Sequence, residues 1–409
     1  VRSNLKSKEP TFAVGLMSGT SLDGVDAVLV ALKGVGLETE CQELAFITHE
    51  IPADLRALIL KNSGEEGSNV AEICQLNMAL GALYSDAVSE LLKVAKRSPK
   101  ALNAGFNGAL DFIASHGQTI YHIPQSVAEK GSFTASTLQI GDPSFLALTH
   151  KTDVYFNFRM MDIAAGGDGA PLVPFTELLL YRSDKARLLQ NIGGIGNVTY
   201  LPAHSTLSDL FAFDTGPGNM MINAAMEALY GKAYDKEGER AAQGRLIPEL
   251  FQRLKQDSYL AEPPPKSTGR ERYGEQITQK WLADFQDHTG VERGDFIHTF
   301  TRFTAFSIVE SYHRFILPKY PVDEVIIGGG GAYNPTLLAM IKEELDAHSL
   351  AIKLLTNEDL GISSDAKEAI AFALLGHQTR HRLANNAPAA TGAAFPLILG
   401  QIAPNPYPK

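Results

Sequence analysis

The residues best equipped for chemistry in this chain sit in short, polar, glycine-rich connections between apolar runs. In "GLMSGTSLDGVDAVLV" (15–30), residues 18–25 separate the apolar runs 12–16 and 27–32 with Gly19, Thr20, Ser21, Asp23 and Gly24. That is more small and polar chemistry than a two-residue hairpin turn requires. Two readings stay open for this stretch alone. It is either a decorated turn or an anion cradle, in which glycine lets backbone N–H groups converge while Thr and Ser add hydroxyl donors. Asp214 is the most informative carboxylate, because it ends the apolar run 210–213 and precedes Gly216 and Gly218 at the start of a helical pattern. A carboxylate there can act as a general base while adjoining amides hold a phosphate, or it can cap its own turn. The four glycines 328–331 form a further strand-to-helix connection. His116 and His122 have no third ligand at metal spacing, which favours hydrogen bonding over metal binding. KSTGRE (266–271) reads either as a substrate or phosphate loop or as a solvated linker. The run 266–268 lacks the upstream glycines of a P-loop, and 328–331 does not satisfy G-x-G-x-x-G. Neither H-E-x-x-H nor G-x-S-x-G occurs.

These connections need strands and helices to hold them. The expected elements are a hairpin of 12–16 and 27–32, a strand over 43–50 and a long helix over 69–96. That helix carries Val70, Ile73, Leu76, Leu80, Leu83, Ala87 and Leu91 on one face, behind a Ser68 cap. A strand over 111–115 and a loop-rich middle, 162–171, come next. Then strand, glycine-rich turn and strand recur over 186–201, which suggests a duplicated domain. A strand over 210–213, helices over 220–230 and 299–317, a strand over 324–327 and a helix over 335–348 complete the alternation of an α/β protein. The last helix starts near Asp365, with Ser364 as cap and Glu368 in its first turn. The proline-rich tail after 396 reads as a surface segment.

Composition narrows the class. With 409 residues the chain exceeds what one core usually fills, so two domains are expected. Hydrophobic content of 44% and charged content of 20% fit a globular protein. A net charge of −10 without a basic run argues against nucleic acid as partner. No apolar segment approaches the roughly 20 residues of a membrane span. The first ten residues lack the apolar core of a signal peptide, and Cys41 and Cys74 are isolated, so a cytoplasmic enzyme is expected.

Taken together, MSGTSLDGVD (17–26), SHGQT (115–119), NIGGIGN (191–197), FDTGPGN (213–219), KSTGRE (266–271) and GGGGAYN (328–334) resemble, in order, the signature of bacterial anhydro-N-acetylmuramic acid kinases. The resemblance runs from about Gly15 to Leu383. It implies an actin-like, sugar-kinase-type fold of two ribonuclease H-like α/β domains around an ATP cleft, one formed by 1–150 with 384–409 and the other by 151–383. It implies ATP and Mg2+ as cofactors, and phosphorylation of 1,6-anhydro-N-acetylmuramic acid with cleavage of its anhydro bridge by water. The product is N-acetylmuramic acid 6-phosphate, in peptidoglycan recycling. By the same resemblance Asp214 is the base, and Gly19, Thr20, Ser21, Leu22, Asp23, Gly24, Val25 and Asp26 form the triphosphate loop. Gly216, Gly218 and Asn219 make a second phosphate contact, and Gly329, Gly330, Gly331 and Asn334 lie near the adenosine. His116, Gln118 and Glu368 meet the sugar, and a homodimer is one option left open. Two other readings compete: a related sugar or acetate-type kinase acting on a free hydroxyl or carboxylate, and a nucleotide-dependent interaction protein that turns over no sugar.

Overall fold

The computed structural model describes residues 9–19, 22–64, 67–125, 134–285, 288–348 and 350–408. The chain divides into two compact units, 1–181 with 361–409, and 182–360. The divide therefore falls at 181/182 and 360/361, not at 150 and 383. Two additions to the first sheet explain this: a strand over Asp153–Phe156, and the Lys367–Arg380 helix, which packs on that sheet.

In the first unit, strands β1 (Thr11–Ser18), β2 (Val25–Lys33) and β3 (Glu40–His49) form an antiparallel meander. Strand β4 (Phe112–Ile123) lies parallel to β1, and β6 (Asp153–Phe156) lies parallel to β4. Strand β5 (Ser136–Ile140) pairs with the distal part of β4, so β4 continues through His116 and His122 instead of ending at Ser115. Gly15 has a packing reason. A Cβ there would stand 1.9 Å from the carbonyl oxygen of Ala369, so only glycine admits the Lys367–Arg380 helix this close to β1. The helix Val70–Ala95 buries Leu76, Leu80, Leu83, Ala87 and Leu91 on the other face, while Val70 is 83% exposed and outside the core. Its cap is Asn69, whose side chain accepts the Glu72 N–H, one residue later than Ser68. Towards the other end of the chain the helix expected near Asp365 starts at Lys367, where Ser363 Oγ, not Ser364, accepts the Ala366 N–H, and a short helix, Pro388–Thr391, follows it. The tail is only partly a surface segment: Leu399 is fully buried, and β12 (Gln401–Ala403) pairs antiparallel with β6.

The second unit repeats the plan. Strands β7 (Arg187–Ile192), β8 (Ile195–Leu201) and β9 (Phe211–Pro217) form an antiparallel meander. Strands β10 (Glu324–Gly328) and β11 (Lys353–Thr356) then follow in parallel on the β7 side. The order β9-β8-β7-β10-β11 thus matches β3-β2-β1-β4-β6. The helix Arg293–Ser311 buries residues all round, because it lies between the core of this sheet and a second cluster built on the Met220–Tyr230 helix. Among the described residues no helix is long and apolar enough to cross a membrane.

Candidate active site

The glycine-rich turns of the second unit converge. The β7–β8 turn accepts three backbone hydrogen bonds from the junction of β9 with the Met220–Tyr230 helix: Gly218 N–H to Gly194 O (2.9 Å), Asn219 N–H to Gly193 O (2.7 Å) and Met220 N–H to Gly194 O (3.1 Å). The Asn219 side chain also donates to Ile192 O at 3.2 Å. Gly329, with φ at +77°, passes so close to Asn191 that a Cβ would come within 2.6 Å of its Oδ1. Gly331 is buried against Ile192. Beside these turns lies a cavity of about 490 Å³ whose lining includes Asn219, Gly330, Asn334, Tyr234 and Lys236. Asn334 also caps the Pro335–Ala347 helix by accepting the Leu337 N–H at 2.9 Å. Tyr234 and Lys236 belong to no recognisable motif, and only folding brings them to this wall.

Asp214 stands within β9, opposite Asn197, and not at its end, because β9 stays paired to β8 as far as Pro217. Its carboxylate is half-buried and held on one side: Oδ2 accepts the Thr268 N–H at 2.9 Å. Among the described residues nothing hydrogen-bonds to Oδ1. Burial raises its proton affinity, and the Thr268 bond and the Lys266 charge oppose that shift. KSTGRE is therefore no free linker, for Lys266 O accepts the Asp214 N–H and the Thr268 N–H donates to its carboxylate. Lys266 is itself half-buried, and desolvation pushes its ammonium down to about 8.

In the first unit the opening loop divides into parts. Thr20 and Ser21 lie outside the described residues. The side chains of Leu22 and Val25 belong to the core, leaving only their main-chain groups to face a ligand. Gly24 is demanded by packing, since a Cβ would stand 2.4 Å from Thr48 Cγ2 and 2.9 Å from His49 O. Asp23 is exposed. Asp26 accepts the Thr48 hydroxyl at 2.6 Å, and burial raises its proton affinity, aided by the charges of Asp365 and Asp23. Gln118 is buried and committed to the loop: its Oε1 accepts the Ser18 hydroxyl at 2.6 Å, and its Nε2 donates to Gly19 O at 3.4 Å. It shapes the end of β1 and does not itself present a free amide.

His116 sits behind a cation that sequence reasoning missed. Burial, then the Arg159 charge, drives its imidazole down to about 3, so it is neutral and its Nε2 accepts Arg159 Nε–H at 3.0 Å. Arg159 also donates to Gly169 O at 2.8 Å, and with Glu368 it lines a cavity of about 200 Å³ that Met17, Leu172 and Phe372 complete. Glu368 is thus brought to a pocket, while His116 supports its wall. His122 shares a hydrogen bond with Thr137 across the β4–β5 hairpin at 3.1 Å. Arg159 stands in no motif, so only its position on the fold marks it.

The same five-strand order in both units, each opening on a hairpin with a small, polar turn, defines a duplicated α/β protein of actin-like fold. The family model for anhydro-N-acetylmuramic acid kinase matches residues 11–405. An anhydro-N-acetylmuramic acid kinase of Clostridioides difficile is 48% identical over 398 residues, 97% of this chain and 99% of that protein. Kinases of the same name from Bacillus thuringiensis subsp. konkukian and Francisella tularensis subsp. novicida are 46% and 47% identical, over 96% of this chain and 98% and 99% of their own lengths. The chain belongs to the anhydro-N-acetylmuramic acid kinase family.

Proposed function

We propose that this chain phosphorylates 1,6-anhydro-N-acetylmuramic acid with ATP and water, with Asp214 as the general base. The anhydro sugar has no free O6 hydroxyl, so the bridge must open before phosphate can be accepted. Asp214 takes a proton from water as its oxygen bonds to C1. The C1–O6 bond breaks, O6 bonds to the γ-phosphorus, and the bond from phosphorus to ADP breaks. The product is N-acetylmuramic acid 6-phosphate.

The observation that carries this reading is the state of the Asp214 carboxylate: one oxygen anchored, the other without a donor among the described residues, and burial raising its basicity. The Gly218 and Asn219 N–H groups are spent on the carbonyls of the 193–194 turn and fix its shape, so a phosphate contact here falls to the N–H groups of the 193–194 turn itself. The cavity beside Gly330 and Asn334 has room for an adenosine, and Arg159 and Glu368, the two charged groups of an otherwise apolar pocket, would bond the polar groups of a sugar. From the opening loop, Gly19, Asp23 and Asp26 remain the candidates on the triphosphate side. Magnesium would neutralise phosphate charge. The Asp26 carboxylate, already burdened by Asp23 and Asp365, suits a cation held through phosphates and one or two carboxylates.

Incubation in ¹⁸O-water tests which atom water attacks. The label should enter C1 of the sugar and not the phosphate; label in the phosphate would mean that water attacks ATP. Asp214→Asn should lower turnover by about 10²–10⁴-fold while Mg-ATP still binds. Near-normal turnover would make Asp214 a structural residue.

A further inference from the structure

We infer that the 266–268 segment is the positioning element of the base, with Lys266 locking the loop from which the Thr268 N–H aims the Asp214 carboxylate. This rests on the reading of Asp214 given above, and it assigns to Lys266 a role in setting when that carboxylate can accept a proton.

The contacts close into a ring. The Asp214 N–H donates to Lys266 O at 3.3 Å, and Asp214 Oδ2 accepts the Thr268 N–H at 2.9 Å. The Tyr259 hydroxyl donates to Asp214 O at 2.9 Å, while the Lys266 ammonium donates to Tyr259 O at 3.1 Å. The main chain of Lys266 thus meets the base itself, and its side chain meets Tyr259, whose hydroxyl also bonds the base. A lysine in a solvated linker would extend into water. This one folds back among three rings, 4.4 Å from the centroid of Tyr259, 4.7 Å from Phe315 and 5.8 Å from Phe213.

Such a box would accept an uncharged side chain of the same length without desolvating a cation. The charge is nevertheless there, and its field acts on Asp214 against the effect of burial, favouring the ionised, proton-accepting form. The other charged groups facing Lys266 are Glu262 and Asp257, which favour its cation, and Arg314, which opposes it. Asp257 and Glu262 are partly committed to Arg272, at 2.6 and 3.8 Å. Burial dominates, and the ammonium titrates at about 8. The sign follows. The cation is present at neutral pH and is lost as pH rises through about 8, and with it go the ring contacts and the field on Asp214.

The test is kcat and KM of the full chain with ATP and the anhydro sugar over about pH 5.5 to 9.5, for wild type, Lys266→Met, Lys266→Arg and Asp214→Asn. Lys266→Met should lower kcat at neutral pH by about 10²-fold with KM for ATP changed less than about twofold. Its acid limb should move to higher pH, and the alkaline limb near 8 should vanish. Lys266→Arg should recover most of the loss and stay active beyond the wild-type alkaline limb, because guanidinium does not titrate there. Wild-type kcat and limbs in Lys266→Met would overturn the inference, as would a raised KM for ATP at unchanged kcat, which would make Lys266 a phosphate ligand. If Lys266→Met does not fold, an alkaline limb left near 8 in Lys266→Arg overturns it equally. An active Asp214→Asn instead removes the base reading itself, whereas an inactive Asp214→Asn beside an unaffected Lys266→Met removes only this inference.

Discussion

Replacing Gly218 with alanine adds one methyl group where β9 meets the Met220–Tyr230 helix. Its Cβ would stand 2.3 Å from Gly193 O and 3.1 Å from Gly194 O and the Ile195 carbonyl carbon. The first contact is about 1 Å inside ordinary van der Waals distance, and all three atoms are backbone, so no side-chain rotation relieves it. The turn and the junction must part, which loosens the three hydrogen bonds from Gly218, Asn219 and Met220. Each bond is worth about 1 kcal/mol net, and overpacking costs about 1–3 kcal/mol. These effects overlap, so a loss of about 2–4 kcal/mol is expected, short of unfolding a chain whose apolar cores are untouched. If the turns also hold phosphate, a displacement of this size removes the ligand's donors. Mg-ATP at a hundredfold excess over its Kd should stabilise wild type by about 2.7 kcal/mol and the variant by almost nothing. Urea unfolding with and without Mg-ATP, together with calorimetric titration, reads both quantities. A destabilised variant that keeps the full ATP increment would refute the phosphate role of this junction. A variant as stable as wild type would refute the packing argument.

Two further outcomes follow from individual contacts. Glu324 is buried at the start of β10; burial favours its neutral form, but hydrogen bonds from Lys185 (2.6 Å) and Arg187 (2.9 Å) and their charges outweigh it and hold the carboxyl below its ordinary range. Glu324→Gln should cost about 1–3 kcal/mol at neutral pH. A depressed carboxyl contributes above its unfolded pKa, about 4.5, and loses that contribution as pH falls below it. The stability gap between the two proteins should therefore narrow in acid, and a gap that stays constant down to about pH 3 would contradict the assignment. Asn334→Ala should lose about 1 kcal/mol with the helix cap, while Asn334→Asp keeps the cap. If Asn334 also meets adenosine, both variants should bind Mg-ATP more weakly, and unchanged affinity in either would leave Asn334 a cap alone.

What the sequence made legible was local. Apolar runs on either side of a glycine-rich turn mark the β1–β2 and β7–β8 hairpins, and the helix over Val70–Ala95 follows from spacing. What it hid depends on partners far along the chain. β9 runs through Asp214 to Pro217 only because β8 pairs with it, and β4 runs past Ser115 only because β5 does. Leu22 and Val25 look like loop residues until the core closes over them. The link from Lys266 and Thr268 to Asp214, and from His116 to Arg159, spans tens of residues without periodicity. The divide between units lies at 181/182 and 360/361 for the same reason, since neither the pairing of β6 with β4 nor the packing of the Lys367–Arg380 helix on β1 leaves a trace in either segment alone.

That divide has a consequence for how the protein is made. The second unit, 182–360, is one continuous stretch, whereas the first is split around it. During synthesis from the N-terminus, β1 to β6 leave the ribosome long before the Lys367–Arg380 helix that fits against Gly15, and β12 comes last. The unit begun first is therefore the one finished last. Until then the face of β1 around Gly15 is uncovered in the nascent chain, and the inserted unit can complete its own sheet while the outer one waits for its final helix and edge strand.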